Sequence, residues 1–127
     1  FNLVGAAQVG KSSLTGMRLL HQLDGALPVW PIDPLPREGS VLVEIYTSLA
    51  ALEANRSSGR SKIRSYEELD TALAAIGSPG TGQAGAVDDH SSDALLTAAW
   101  LRNAERWSPR GMTKQIARTE GWTFGAR

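Results

Sequence analysis

No cysteine occurs among the 127 residues, and the only histidines are His21 and His90. The first absence excludes a disulfide scaffold and any thiolate-based zinc site. The second means that a metal site in this chain has to lean on carboxylates. Charge of neither sign is in excess, since 13 Lys and Arg balance 13 Asp and Glu. Zero net charge excludes a generally basic nucleic-acid coat, so any such contact must come from a local patch. No apolar run approaches the ~20 residues of a membrane helix, and no signal peptide is visible. These absences predict a cytoplasmic chain with no membrane partner. What is present, 42% hydrophobic residues, suffices for one domain with its own core and is too short for two ordinary ones. The chain opens at Phe1, without Met, directly in an apolar stretch. That opening is expected of a piece of a longer protein.

Along the chain, Phe1 to Val4 reads as a strand or the end of one, and Gly5 to Gly10 as a small-residue turn. Ser12 or Ser13 opens a helix to about Leu23, with Leu14, Met17 and Leu20 at helical spacing and Asp24-Gly25 as its stop. Four prolines in Pro28 to Pro36 predict an extended connector rather than a central strand. Val41 to Thr47 is the best strand, rich in Val, Ile and Tyr. Ser48 to Ala54 predicts a short helix, and residues 55–64 a flexible basic loop. Ser65-Tyr66-Glu67-Glu68 is a capping box that opens a helix with Leu69, Leu73 and Ile76 as its stripe. Residues 77–88, small and glycine-rich, predict a second flexible loop. A third helix runs from about Asp89 to Trp107, apolar nearly all round at mid-length, which predicts burial. Thr113 to Arg118 reads as a short helix and Gly121 to Gly125 as a last strand. Interleaved strands and helices make the chain α/β, a mixed sheet flanked by helices.

One motif is conspicuous. GAAQVGKS, Gly5 to Ser12, fits the phosphate-loop pattern residue for residue. Its chemistry uses Gly5 and Gly10 for close backbone approach to phosphates, Lys11 on the terminal phosphates and Ser12 on Mg²⁺. The pattern's companion, an apolar strand ending in Asp, has no good counterpart, because prolines interrupt Val29 to Asp33.

A quieter constellation is acidic. Glu44 is the one charge inside its strand, and such a carboxylate needs a partner, a metal or a strand end near water; the plainer reading is that it faces solvent at a sheet edge or pairs with an Arg. Asp88, Asp89, His90 and Asp93 open the long helix. Capping requires one acid, and three are here. Asp89 with Asp93, or His90 with Asp93, shares a helix face. Acids converging from a strand and a helix start supply the hard oxygen ligands of Mg²⁺ or Mn²⁺. The metal candidates are therefore Glu44, Asp89 and Asp93, with His90 as an acid/base or outer group. Arg56, Arg60, Lys62 and Arg64 form the one local basic patch, a candidate phosphate contact or a solvated loop. Trp30 and Trp122 are the better candidates for stacking on bases, and Trp100 and Trp107 for core packing.

VLVEIY around Glu44 and DDHSSDALLTAAWLR resemble the RNase H-like superfamily, and the HxxDA arrangement at His90 to Ala94 is similar to the last motif of its Holliday-junction resolvase branch. More closely, the order of segments resembles the bacterial DUF429 family of predicted nucleases. These segments are FNLVGAAQVGKSSLTGMRLL, the Val29-Trp30-Pro31 connector, the VEIY strand, the DAL helix and Glu120-Gly121-Trp122 with Phe124. The resemblance implies metal-dependent phosphodiester hydrolysis with Mg²⁺ or Mn²⁺, Glu44 and Asp93 as ligands and Asp89 as a third ligand or a water-positioning group. It also implies a first-strand Asp, and no acid precedes Asp24, so that ligand is expected upstream of Phe1. Two other readings stand beside it: a nucleotide-binding protein built on Gly5, Gly10, Lys11 and Ser12, and a non-catalytic interaction domain of the same fold.

Overall fold

A computed structural model of the chain describes residues 9–56, 62–103 and 114–126. Among the described residues seven elements follow in order: α1 (Val9–Leu23), β1 (Val29–Trp30), β2 (Leu42–Val43), α2 (Thr47–Glu53), α3 (Tyr66–Ala75), α4 (Asp89–Asn103) and α5 (Lys114–Glu120). The chain is α/β.

The core is built by helices. Ala50, Ala51 and Ala54 form a small-residue face on α2 and its end, and α4 packs on it. On α3, Leu69, Ala72 and Leu73 are buried against the same cluster, joined by Ile63, Val87, Leu96 and Trp100. The predicted stripe of α3 is therefore the buried one, and Ile76 packs at its edge. Its caps are local chemistry. The Ser65 hydroxyl accepts from the Glu68 amide at 3.2 Å. The Glu68 carboxylate accepts from the Arg64 amide at 3.0 Å, one residue before the position that a capping box uses. At the other end, the Ser78 and Gly77 amides donate to the Leu73 and Ala74 carbonyls, and Gly77 takes φ +72°, a Schellman stop.

The sheet is smaller than Val41 to Thr47 predicts. Only Leu42 and Val43 pair, in parallel with Val29 and Trp30. Glu44 then bridges Thr123, also in parallel, and Thr47 already belongs to α2. Among the described residues, the sheet is two parallel strands plus this bridge, with a separate antiparallel bridge between Ser65 and Ala86. The proline-rich connector supplies β1, which the prolines argued against. A two-residue strand is short enough to fit between Pro28 and Pro31: Pro28 still gives its carbonyl to the Leu42 amide, and the Asp33 carboxylate accepts from Val29. Gly121 to Gly125 contributes one bridge rather than a strand.

Two helices differ from expectation in their surroundings. The apolar stripe of α1 is exposed: Leu14 is 49%, Met17 52% and Leu20 41% accessible. On α4, Ser92, Leu96, Thr97 and Trp100 are buried but Leu95 is 42% exposed, so burial is one-sided. An apolar composition all round a helix does not say which side a neighbour covers.

Residues 77–88 are held at three points. The Asp70 carboxylate accepts from the Thr81 amide at 2.6 Å and its hydroxyl at 2.9 Å. Glu67 accepts from the Gly85 amide at 3.1 Å. The Tyr66 and Val87 amides donate to the Gly85 and Arg64 carbonyls across the Ser65–Ala86 bridge. No helix among the described residues is long and apolar enough to cross a membrane. The predicted strand Phe1 to Val4, Gly5 and Trp107 lie outside the described residues.

Candidate functional site

The start of α4 separates the three acids by role. Asp88 caps the helix: its carboxylate accepts from the Ser91 amide at 2.9 Å and the Ser91 hydroxyl at 2.6 Å. These bonds, the hydroxyl's foremost, hold the Asp88 carboxyl below its ordinary range. With Asp88 occupied in this way, Asp89 and Asp93 are left one helical turn apart on one face.

That face meets α2 in a cleft of about 140 Å³ lined by Thr47, Ser48, Lys62, Asp89, Ser92 and Asp93, with Ala51 and Ile63 beneath. Lys62 Nζ donates to Asp89 Oδ2 at 2.7 Å. The hydrogen bond and charge of Lys62 lower the Asp89 pKa. The Thr47 hydroxyl donates to Asp93 Oδ2 at 3.4 Å. Carboxylates, hydroxyls and one ammonium thus share an open, oxygen-rich hollow over an apolar floor.

Of the sequence candidates, the fold brings together Asp89, Asp93 and Lys62. His90 is exposed and does not line the cleft, because one residue on from Asp89 a helix has turned away. Glu44 does not line it either. Its carboxylate accepts from the Thr123 hydroxyl at 3.4 Å and its carbonyl from the Phe124 amide at 2.8 Å. It is exposed at the end of the sheet, not buried within a strand. Among the described residues no three His, Asp or Glu side chains are grouped to hold a metal. Thr47, Ser48 and Ser92 were not foreseen. A Thr-Ser pair at a strand-to-helix junction is the signal that was available for the first two.

The basic patch is partly spent on the protein itself. Arg56 donates to the Lys62 carbonyl at 3.2 Å and lies 3.9 Å from Glu68. Lys62 faces Asp89, Arg64 is exposed, and Arg60 lies outside the described residues. The stacking candidates are engaged too. Trp30 meets Phe124 edge-on at 5.4 Å, and Trp122 Nε1 donates to the Ala126 carbonyl at 3.3 Å. Trp100 is buried and meets the same Phe124 at 6.1 Å. For the phosphate-loop motif, the backbone of Gly10, Lys11 and Ser12 falls in the first turn of α1, where the sequence reading still has a turn at Gly10.

The acids of this region make stability depend on pH. Asp70, Asp88 and Asp89 all have lowered pKa values, through the Thr81 amide, the Ser91 hydroxyl and Lys62 respectively. A carboxylate with a depressed folded pKa adds stability above its unfolded pKa, and that stability is lost as pH falls through the folded value. The melting temperature is therefore expected to hold near neutrality and to drop below about pH 4. Asp70→Asn should flatten part of that drop in thermal melts followed by circular dichroism.

Comparison with protein-family models, with curated proteins and with solved structures gave no match.

Proposed function

We propose that this chain is a metal-dependent nuclease module of RNase H-like type, working at the cleft between α2 and α4. The observation that carries the reading is that Asp89 and Asp93 line one cleft with Lys62 and the hydroxyl-bearing residues Thr47, Ser48 and Ser92. Mg²⁺ is commonly held through one or two carboxylates, with waters and substrate phosphates completing its shell. Two exposed carboxylates on one helix face suit that donor chemistry, and Asp89 and Asp93 would hold the ion. A bound Mg²⁺ or Mn²⁺ supplies an activated water and stabilises the leaving oxygen. Lys62 offsets phosphate charge at the cleft, and Asp88 holds the start of α4, and with it both ligands, in place. Glu44, a ligand in the sequence reading, serves the sheet through Thr123 instead.

The test is a Mn²⁺ titration, read from the electron paramagnetic resonance signal of free Mn²⁺, paired with cleavage assays on DNA and RNA. Asp93→Asn is expected to weaken binding about tenfold or more and to abolish cleavage. Glu44→Gln is expected to bind Mn²⁺ like the wild type. Unchanged binding in both Asp89→Asn and Asp93→Asn would remove the proposed ligands.

A second reading, the non-catalytic interaction domain, is favoured by the exposed Leu14, Met17 and Leu20 of α1. It predicts a folded chain that cleaves neither nucleic acid with either ion.

A further inference from the structure

The turn that ends α1 holds a reactive pair of residues. Asp24-Gly25 is the one place in the chain where Asp or Asn precedes Gly. Asp24 takes φ +44° and Gly25 φ +76°. Gly adopts that left-handed region freely, and Asp is one of the few other residues that visit it. Both are exposed, as is Ala26 after them. The amides on either side are held: that of Asp24 donates to the His21 carbonyl at 3.2 Å, and that of Ala26 to the Leu23 carbonyl at 2.8 Å. Among the described residues no hydrogen bond reaches the Gly25 amide, and no hydrogen bond or ion pair reaches the Asp24 carboxylate. Asp24 is alone in this. The carboxylates of the other five aspartates, Asp33, Asp70, Asp88, Asp89 and Asp93, each accept a hydrogen bond.

We propose that Asp24 is a self-modification site, at which the Asp24-Gly25 linkage isomerises through a cyclic imide to isoaspartate. The Gly25 backbone nitrogen attacks Cγ of the Asp24 carboxyl group. The N–Cγ bond forms, a Cγ–O bond breaks, and the amide proton leaves with the carboxyl hydroxyl as one water. Water then adds to either carbonyl of the ring. Opening at Cγ restores aspartate. Opening at the backbone carbonyl leaves the main chain running through the side chain, which is isoaspartate. One water leaves and one returns, so no oxidant, reductant or co-reactant is consumed. The nitrogen has to swing onto Cγ, and three things that would prevent this are missing. Gly25 has no side chain in the way, and even an added Cβ would meet nothing within 4 Å. The amide is not tied to an acceptor, and the carboxylate is not tied to a donor. The turn also lies outside the buried cluster of α2, α3 and α4, so the core does not resist the motion. Isoaspartate adds one main-chain carbon between α1 and β1. The exposed α1 stripe is then re-aimed relative to the sheet while the core stays as it is.

The experiment ages the folded wild-type and Asp24→Glu chains for weeks at body temperature and neutral pH, beside a free Leu-Asp-Gly-Ala-Leu peptide. Isoaspartate is read by labelling with an isoaspartyl methyltransferase. It is located by digestion with endoproteinase Asp-N, which cuts before aspartate and not before isoaspartate. The wild type is expected to gain label, and to lose the cut at Asp24, at a rate comparable to that of the free peptide. The cuts at the other five aspartates should persist. Asp24→Glu should lose the label, because its ring would be one atom larger and closes poorly. A free peptide that isomerises beside a wild-type chain that does not would overturn the proposal, since the fold would then protect the turn. Label spread evenly over the other aspartates, or kept in Asp24→Glu, would overturn it as well.

Discussion

Gly125→Ala is expected to cost this chain about 2–5 kcal/mol of stability, adding a left-handed backbone penalty to an overpacking penalty. Gly125 has φ +84°, a region that a side chain rarely adopts. A Cβ there would stand 2.6 Å from Cζ2 of Trp100 and would also meet Cη2. Trp100 has little room to give way. It is buried in the core and its ring meets Phe124 edge-on. Phe124 in turn meets Trp30 and donates its amide to the Glu44 carbonyl. The added methyl therefore pushes on the contact that joins the last segment, the sheet and α4. Thermal melting should show a midpoint lower by about 10 °C or more, and near-ultraviolet circular dichroism should report the disturbed tryptophans. Gly77→Ala is the control. Gly77 has φ +72° with nothing within 4 Å of its missing Cβ. It should lose only about 1–2 kcal/mol, from the backbone alone. Equal losses at the two sites would remove the Trp100 clash from the account.

Leu69→Ala is expected to lose a similar amount, about 2–5 kcal/mol, for a different reason. Leu69 is 0% exposed and lies at the centre of the cluster formed by α2, α3 and α4. Truncation removes apolar burial and leaves a cavity that three short helices can only partly close. The volume-conserving Leu69→Met should cost less than about 1.5 kcal/mol. Urea unfolding would measure both. An alanine loss below the methionine loss would mean that this cluster is not the centre of the core. α4 carries both cleft aspartates, so the same cluster positions the site.

What could be read from the sequence follows the range of the interaction. The helix over Tyr66–Ala75 was legible in most of its parts: Ser65 caps it, Leu69 and Leu73 belong to its buried face, and Gly77 follows its last turn as the stop, while Glu68 bonds the Arg64 amide rather than that of Ser65 and Ile76 packs at the edge. Each of those facts depends on residues at most a few positions apart. The acidic start of α4 was legible as a capping site with acids to spare, and Asp88 is the acid that caps. Which of the others matter was not legible. Asp89 and Asp93 share the cleft because α2 lies against their face, and His90 is one residue off it. The partner of Glu44 was equally hidden, since Thr123 is 79 residues away.

The sequence by itself determined the α/β class, the cap and stop of α3, the acid-capped start of α4, and the stock of oxygen ligands in a chain without cysteine; α1 begins at Val9, ahead of the Ser12 or Ser13 cap that the sequence predicts. It did so because backbone hydrogen bonding and helical periodicity act over one or two turns. The tertiary structure alone decided that the stripe of α1 and Leu95 stay exposed, that only Leu42 and Val43 of the predicted strand Val41 to Thr47 pair as a strand with Glu44 adding a bridge, and that Lys62 meets Asp89. Those outcomes depend on which faces pack together, and packing joins residues 27 or 79 positions apart whose spacing along the chain carries no trace of the contact.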